Sequence, residues 1–233
     1  MDGCQDRRKP SSLIHSPDTK QPLPWIADDC WPAVAHHEAG HAVAYVVGSR
    51  AVYGNDGWFK VSIRPGAIGP YVMPRGGLSD CAGIVESPGF HNVAIPPEWL
   101  VPFRDERQRL FQRSLAIQQV IFALAGPFAE AAYLGDRDPW EMAEAAFGAN
   151  GFSSDYENAE SAFEALRYFT PRRPRWDTLA YRTAQLVLDH WTAIEAMAAR
   201  LLVKHELDHD EALAIVVPHL PATPPATSAA LPA

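Results

Sequence analysis

The chain has 233 residues, enough for one domain with a sizeable core, and 47% of them are hydrophobic. A formal net charge of −8, a pI of about 5.5 and the lack of any lysine or arginine block exclude nucleic acid as an expected partner. Three widely spaced cysteines, Cys4, Cys30 and Cys81, fit a reducing compartment better than a disulfide framework.

Residues 1–27 are polar and carry Pro10, Pro17, Pro22 and Pro24, so they are expected to be disordered. No signal-peptide stretch opens the chain and no window of eighteen or more apolar residues occurs, so neither secretion nor a membrane span is expected. A cytoplasmic location follows from both. The first predicted helix starts near Asp28 or Asp29, either of which can cap it, with Pro32 in its first turn and Gly48 placed to end it. Ala33, Val34, Ala35, Ala39, Ala42, Val43, Tyr45, Val46 and Val47 make this helix apolar on nearly every face, so it belongs inside a core.

Within that helix, residues 37–41 read His-Glu-Ala-Gly-His. Positions four apart lie one turn apart on the same face, so His37 and His41 can aim two imidazoles at one point. Two neutral imidazoles suit zinc, and Glu38 beside them can serve as a general base on water without being a ligand. Gly40 is about 1 kcal/mol worse than alanine in a helix interior, which implies that another backbone packs closely there. His36 faces away from the line of His37 and His41 and reads as an ordinary histidine.

Further along, residues 58–64 alternate as a half-buried strand, turn residues follow from 65 to 77, and residues 81–86 form a second strand. Pro88 to Pro102 is irregular, so about 65–104 reads as an insertion. From Asp105 the pattern is helical. Arg109 to Ala125 carries an apolar stripe, Gly126-Pro127 punctuates it, and Phe128 to Leu134 resumes before Gly135. Ser154 and Glu157 form a capping box that opens a helix to Tyr168 and puts Asp155 in its first turn. A long helix over 177–205 and a short one over 210–216 complete a domain spanning 28–218, and residues 219–233 form a Pro/Ala-rich tail. His190, His205, His209 and His219 read as helix-end or surface groups, and the seven tryptophans as core anchors. The fold class is α+β, mostly α-helical, with a small sheet beside the His-Glu-x-x-His helix.

Catalytic zinc usually takes three protein ligands. A third histidine six residues after His41 is excluded, because Val47 stands there. No glutamate occurs between Glu38 and Glu86, and Asp56 and Asp80 lie in turn-like contexts. Two candidates remain. Glu130 is the only charged residue in a strongly apolar stretch, and Asp155 sits at a helix start where the dipole favours a carboxylate. Position does not choose between them.

Several segments resemble the peptidase domain of the FtsH-type ATP-dependent peptidases. Residues 34–43 (Val-Ala-His-His-Glu-Ala-Gly-His-Ala-Val) are similar to that family's zinc helix. Residues 61–66, 124–131 with Leu134-Gly135, 151–159, and 193–198 with Leu201-Leu202 and Leu207-Asp208 resemble its later segments in the same order. The resemblance covers about residues 33–212. It implies zinc on His37, His41 and Asp155, Glu38 as general base, and Glu130 as a core residue or a support behind the ligands. It implies hydrolysis of peptide bonds, with residues 81–86 as the strand edge for an extended peptide. The family's ATPase module and membrane anchor find no counterpart here, so the expectation is a peptidase domain alone. Such a domain favours flexible or unfolded polypeptides, or works with an ATPase or other protein partner in trans. The alternative is a catalytically silent metal-binding module with a regulatory or interaction role, although a purely structural zinc has no need of Glu38. Intramembrane zinc peptidases also pair this motif with a distant aspartate, but the lack of apolar spans argues against that class.

Overall fold

The computed structural model describes residues 30–65, 71–72, 78–79, 82–87, 106–149 and 154–220. The expected disorder before residue 28, the Asp28/Asp29 cap, most of the 65–104 insertion with His91, and the tail from 221 lie outside these residues. Within them the protein is mostly helical with a small antiparallel sheet, as expected from the sequence.

The first helix, α1, spans Trp31–Tyr53, with Pro32 in its first turn. It runs through Gly48, which is buried, and ends instead at Gly54. Gly54 adopts φ 71° and donates its N–H to the Arg50 carbonyl at 3.1 Å, the left-handed cap that glycine makes without penalty. Packing holds the helix intact at Gly48, and the left-handed conformation that favours glycine comes only at Gly54. Burial surrounds α1 on almost every face from Ala33 to Ser49, as its all-round apolar sequence demands.

The second helix, α2, spans Glu106–Leu134 and is continuous through Gly126-Pro127, where a break was expected. Proline there removes one backbone hydrogen bond and crowds the Ala123 carbonyl, a cost of about 3 kcal/mol in an isolated helix. The run from Ala116 to Ala132 is almost wholly buried against α1 and later helices, and that burial outweighs the proline. By length and composition alone, α2 also holds an eighteen-residue window apolar enough to cross a membrane; 72% of that window is buried within the protein.

The close backbone implied by Gly40 is that of α2. A Cβ on Gly40 would lie 2.5 Å from the Ala125 carbonyl oxygen and 2.6 Å from Ala129 Cβ. His41 lies against Phe122 and Gly126 on the same stretch, while His37 reaches Glu130, so the two helices run antiparallel.

Helix α3 (Pro139–Ala149) was not anticipated, although its start is written in the sequence. Asp138 Oδ1 accepts the N–H groups of Trp140 at 2.9 Å and Glu141 at 3.3 Å, with proline as the first helical residue. Helix α4 spans Ser154–Phe169, close to expectation. The long helix expected over 177–205 is two helices, α5 (Trp176–Asp189) and α6 (Trp191–Lys204), broken at His190 with φ −110° and ψ 20°. The break lets α5 pack on α2 while α6 packs on α1. Helix α7 (His209–Val216) is capped by Asp208, whose side chain accepts the Glu211 N–H at 3.0 Å, and a 3-10 turn follows over Val217–His219.

Two expected strands appear in shorter form as β1 (Lys60–Ile63) and β4 (Gly83–Glu86). Between them, where only turns were foreseen, β2 (Tyr71–Val72) pairs with β3 (Leu78–Ser79). An unforeseen β5 (Glu206–Leu207) completes a three-stranded antiparallel sheet of order β4-β1-β5 that packs against α1. Two further expectations fail. Trp58 and Trp140 are 52% and 58% exposed and anchor no core, whereas Trp31, Trp176 and Trp191 pack against it. Cys30, just before α1, is disulfide-bonded, because distance along the chain does not limit distance in the fold.

In an open helix interior, Gly→Ala stabilises by about 1 kcal/mol. Gly40→Ala is expected to have the opposite sign, destabilising by roughly 1–3 kcal/mol through overpacking against α2. Denaturant unfolding measures it.

Candidate metal centre

Three helices meet around one point. α1 carries His37, Glu38 and His41, α2 passes behind them, and the first turn of α4 brings in Asp155. α4 is fixed by burying Ala159, Ala162, Leu166 and Phe169, and this holds its N-terminal turn beside α1. The Nε2 atoms of His37 and His41 are 3.1 Å apart. Asp155 Oδ2 lies 3.0 Å from His37 Nε2 and 3.6 Å from His41 Nε2. A tetrahedral ion with bonds of about 2.0–2.1 Å spaces its ligand atoms roughly 3.3–3.4 Å apart, and the three distances bracket that value. The three residues thus form a group able to hold a metal ion, the set that the resemblance implied.

The opposite ring nitrogens explain why these atoms suit a cation. His41 donates its Nδ1–H to the Phe122 carbonyl at 2.7 Å, and His37 donates its own to Glu130 Oε2 at 3.0 Å. These partners assign the ring protons to Nδ1 and leave Nε2 of each neutral ring as a lone pair. Two lone pairs and a carboxylate oxygen then face one another. Only positive charge relieves that repulsion, either a metal ion or a second proton on His37.

The ionisation equilibria agree. Burial pushes the His37 ring down, yet its hydrogen bonds to Asp155 and Glu130 outweigh burial and hold it well above the usual imidazole range. Burial likewise opposes ionisation of Asp155, but the charges of His41 and His37 keep its carboxyl well below the usual carboxylate range. His37 and Asp155 retain 18% and 23% side-chain exposure against 6% for His41, so the group opens to solvent on their side.

Glu130 and Asp155, which sequence position alone left equal, are separated by geometry. Asp155 shares the Nε2 side with both histidines, while Glu130 sits on the far nitrogen of His37 and orients that ring. Two contributors escaped the sequence reading. The Phe122 carbonyl is backbone, so no residue type announces it. Gly126 read as punctuation, yet a Cβ there would lie 2.3 Å from His41 Nε2, so the glycine makes room for the ligating atom. A glycine inside an apolar helical run was the available signal.

Glu38 is 6% exposed and lies against β4 at Gly83. Burial pushes its carboxyl up to about 7, against the downward pull of His37 and His41. β4 itself lies at the sheet edge. The Arg64 N–H donates to the Ala82 carbonyl at 2.8 Å and Ser62 faces Ile84, so the main-chain groups of Gly83 and Val85 turn away from β1. Among the described residues no strand pairs with that outer side.

Among the described residues, the other histidines stay apart from this group. His36 is 8% exposed, donates Nδ1–H to the Pro32 carbonyl at 2.7 Å, and stacks with Tyr133 and Trp191. His190, His205, His209 and His219 lie at helix ends, as expected. No protein-family model matches the chain, and no curated protein matches its sequence significantly.

Removing His37 or Asp155 by alanine is expected to abolish stoichiometric metal binding in a chelator-competition titration. Glu130→Ala should instead retain one ion with affinity weakened by about 10–100-fold, the usual effect of losing a group that orients a ligand.

Proposed function

We propose that this chain is a zinc-dependent metallopeptidase, akin to the FtsH-type peptidase domain, that hydrolyses peptide bonds in flexible or unfolded polypeptides. The observation that carries this reading is the convergence of two imidazole nitrogens and the Asp155 carboxylate, with the non-ligating carboxylate of Glu38 in the adjacent helical position. Among the described residues the group offers three nitrogen and oxygen ligands, the number of a hydrolytic zinc site, whereas a structural site takes four. Zinc there supplies Lewis acidity toward water and the scissile carbonyl.

Glu38 accepts the proton of the attacking water and hands it to the departing amine. Burial, which favours its protonated form, suits this carboxyl to return the proton as well as to take it. His41 and His37 are held in the required orientation by the Phe122 carbonyl and by Glu130. The outward main-chain groups of Gly83 and Val85 receive the substrate as an added strand, which requires an extended polypeptide. A folded substrate therefore needs prior unfolding, for which an ATPase or other partner acting in trans is suited.

Glu38→Gln is expected to bind zinc as the wild type does while kcat on an unfolded protein such as casein falls roughly 10²–10⁴-fold. Retained turnover removes Glu38 from the mechanism. Stoichiometric zinc in a wild-type protein that cleaves no unfolded polypeptide supports the silent metal-binding alternative instead.

A further inference from the structure

His37 and His41 are each fixed by a hydrogen bond, but among the described residues none fixes the Glu38 carboxylate. Steric contact does so. A Cβ on Gly83 would lie 2.4 Å from Glu38 Cγ and 2.7 Å from both Cδ and Oε1, far inside van der Waals contact. The backbone of β4 therefore forms a bare wall against most of the Glu38 side chain. Gly83 is not needed for its own conformation, because its φ lies outside the left-handed range and it pairs with Ile63 in ordinary antiparallel register. What it contributes is the space that a side chain would take.

We propose that Gly83 is the positioning residue for Glu38: the missing side chain on β4 lets the carboxylate stand beside the histidine pair, directly beneath the strand edge. The functional half of this claim rests on the peptidase reading; the contact itself does not. Because the colliding atoms belong to the Glu38 side chain and not to backbone or to a ligand, an added methyl displaces Glu38 and leaves the fold and the ligands in place. Gly126 makes a useful contrast, since a Cβ there strikes the ligating atom of His41.

The test uses the full chain, loaded with zinc, as wild type, Gly83→Ala, Glu38→Ala and the double variant. Gly83→Ala is expected to keep full zinc content and a KM within about twofold of wild type, while kcat falls at least about tenfold as the general base is displaced. In thermal unfolding, Gly83→Ala costs stability when Glu38 is present and none when Glu38→Ala has removed the atoms it would strike. Any gain from replacing a strand glycine appears in both backgrounds and cancels, so the difference isolates the contact. Wild-type kcat in Gly83→Ala, or an equal loss of Tm in both backgrounds, overturns the proposal. If the zinc-loaded wild type has no turnover, the peptidase reading falls, and the unfolding cycle alone decides the Gly83 contact.

Discussion

The two Nδ1 hydrogen bonds determine what this protein can hold. Once the neutral His41 ring donates its Nδ1–H to the Phe122 carbonyl and the neutral His37 ring donates its own to Glu130, both Nε2 lone pairs must face inward. Asp155 adds a carboxylate oxygen to the same point. Acceptors brought so close in a largely buried setting repel one another unless positive charge lies among them. The arrangement is therefore a demand for a cation built from ordinary hydrogen bonds, and three helices must keep it in register.

That register depends on how closely α1 and α2 approach. Gly40 lets the Ala125 carbonyl come near the α1 backbone, and Gly126 leaves room for the imidazole of His41. Two residues that weaken an isolated helix thus set the spacing of the pair. Pro127 belongs to the same stretch, and α2 remains helical around it because its buried run contributes more than the local rule removes. Local propensity and tertiary packing disagree most where the site is built, as is usual for a segment that serves more than its own stability.

Much of this was legible from residue order. His37 and His41 follow from helical spacing alone, and the capping pair Ser154 and Glu157 locates Asp155 in a first turn. Spacing could not pair elements separated by more than a hundred residues, and only the resemblance favoured Asp155 over Glu130. The break at His190 was hidden because the apolar pattern continues across it, while the requirement to pack on two different helices lies in three dimensions. β5 was missed because two residues carry no periodicity; its pairing with β1 exists only once α6 has returned the chain. The start of helix α3 is legible in the sequence, as Asp138 before Pro139.

His37 and Asp155 are separated by 118 positions in the chain, so a cation shared between them closes a very long covalent loop. Such an ion would find no comparable site in the unfolded chain and would favour the native state. Occupancy and folding are therefore thermodynamically coupled. Metal supply would govern not only whether the protein can act but how long α4 stays docked on the rest of the molecule.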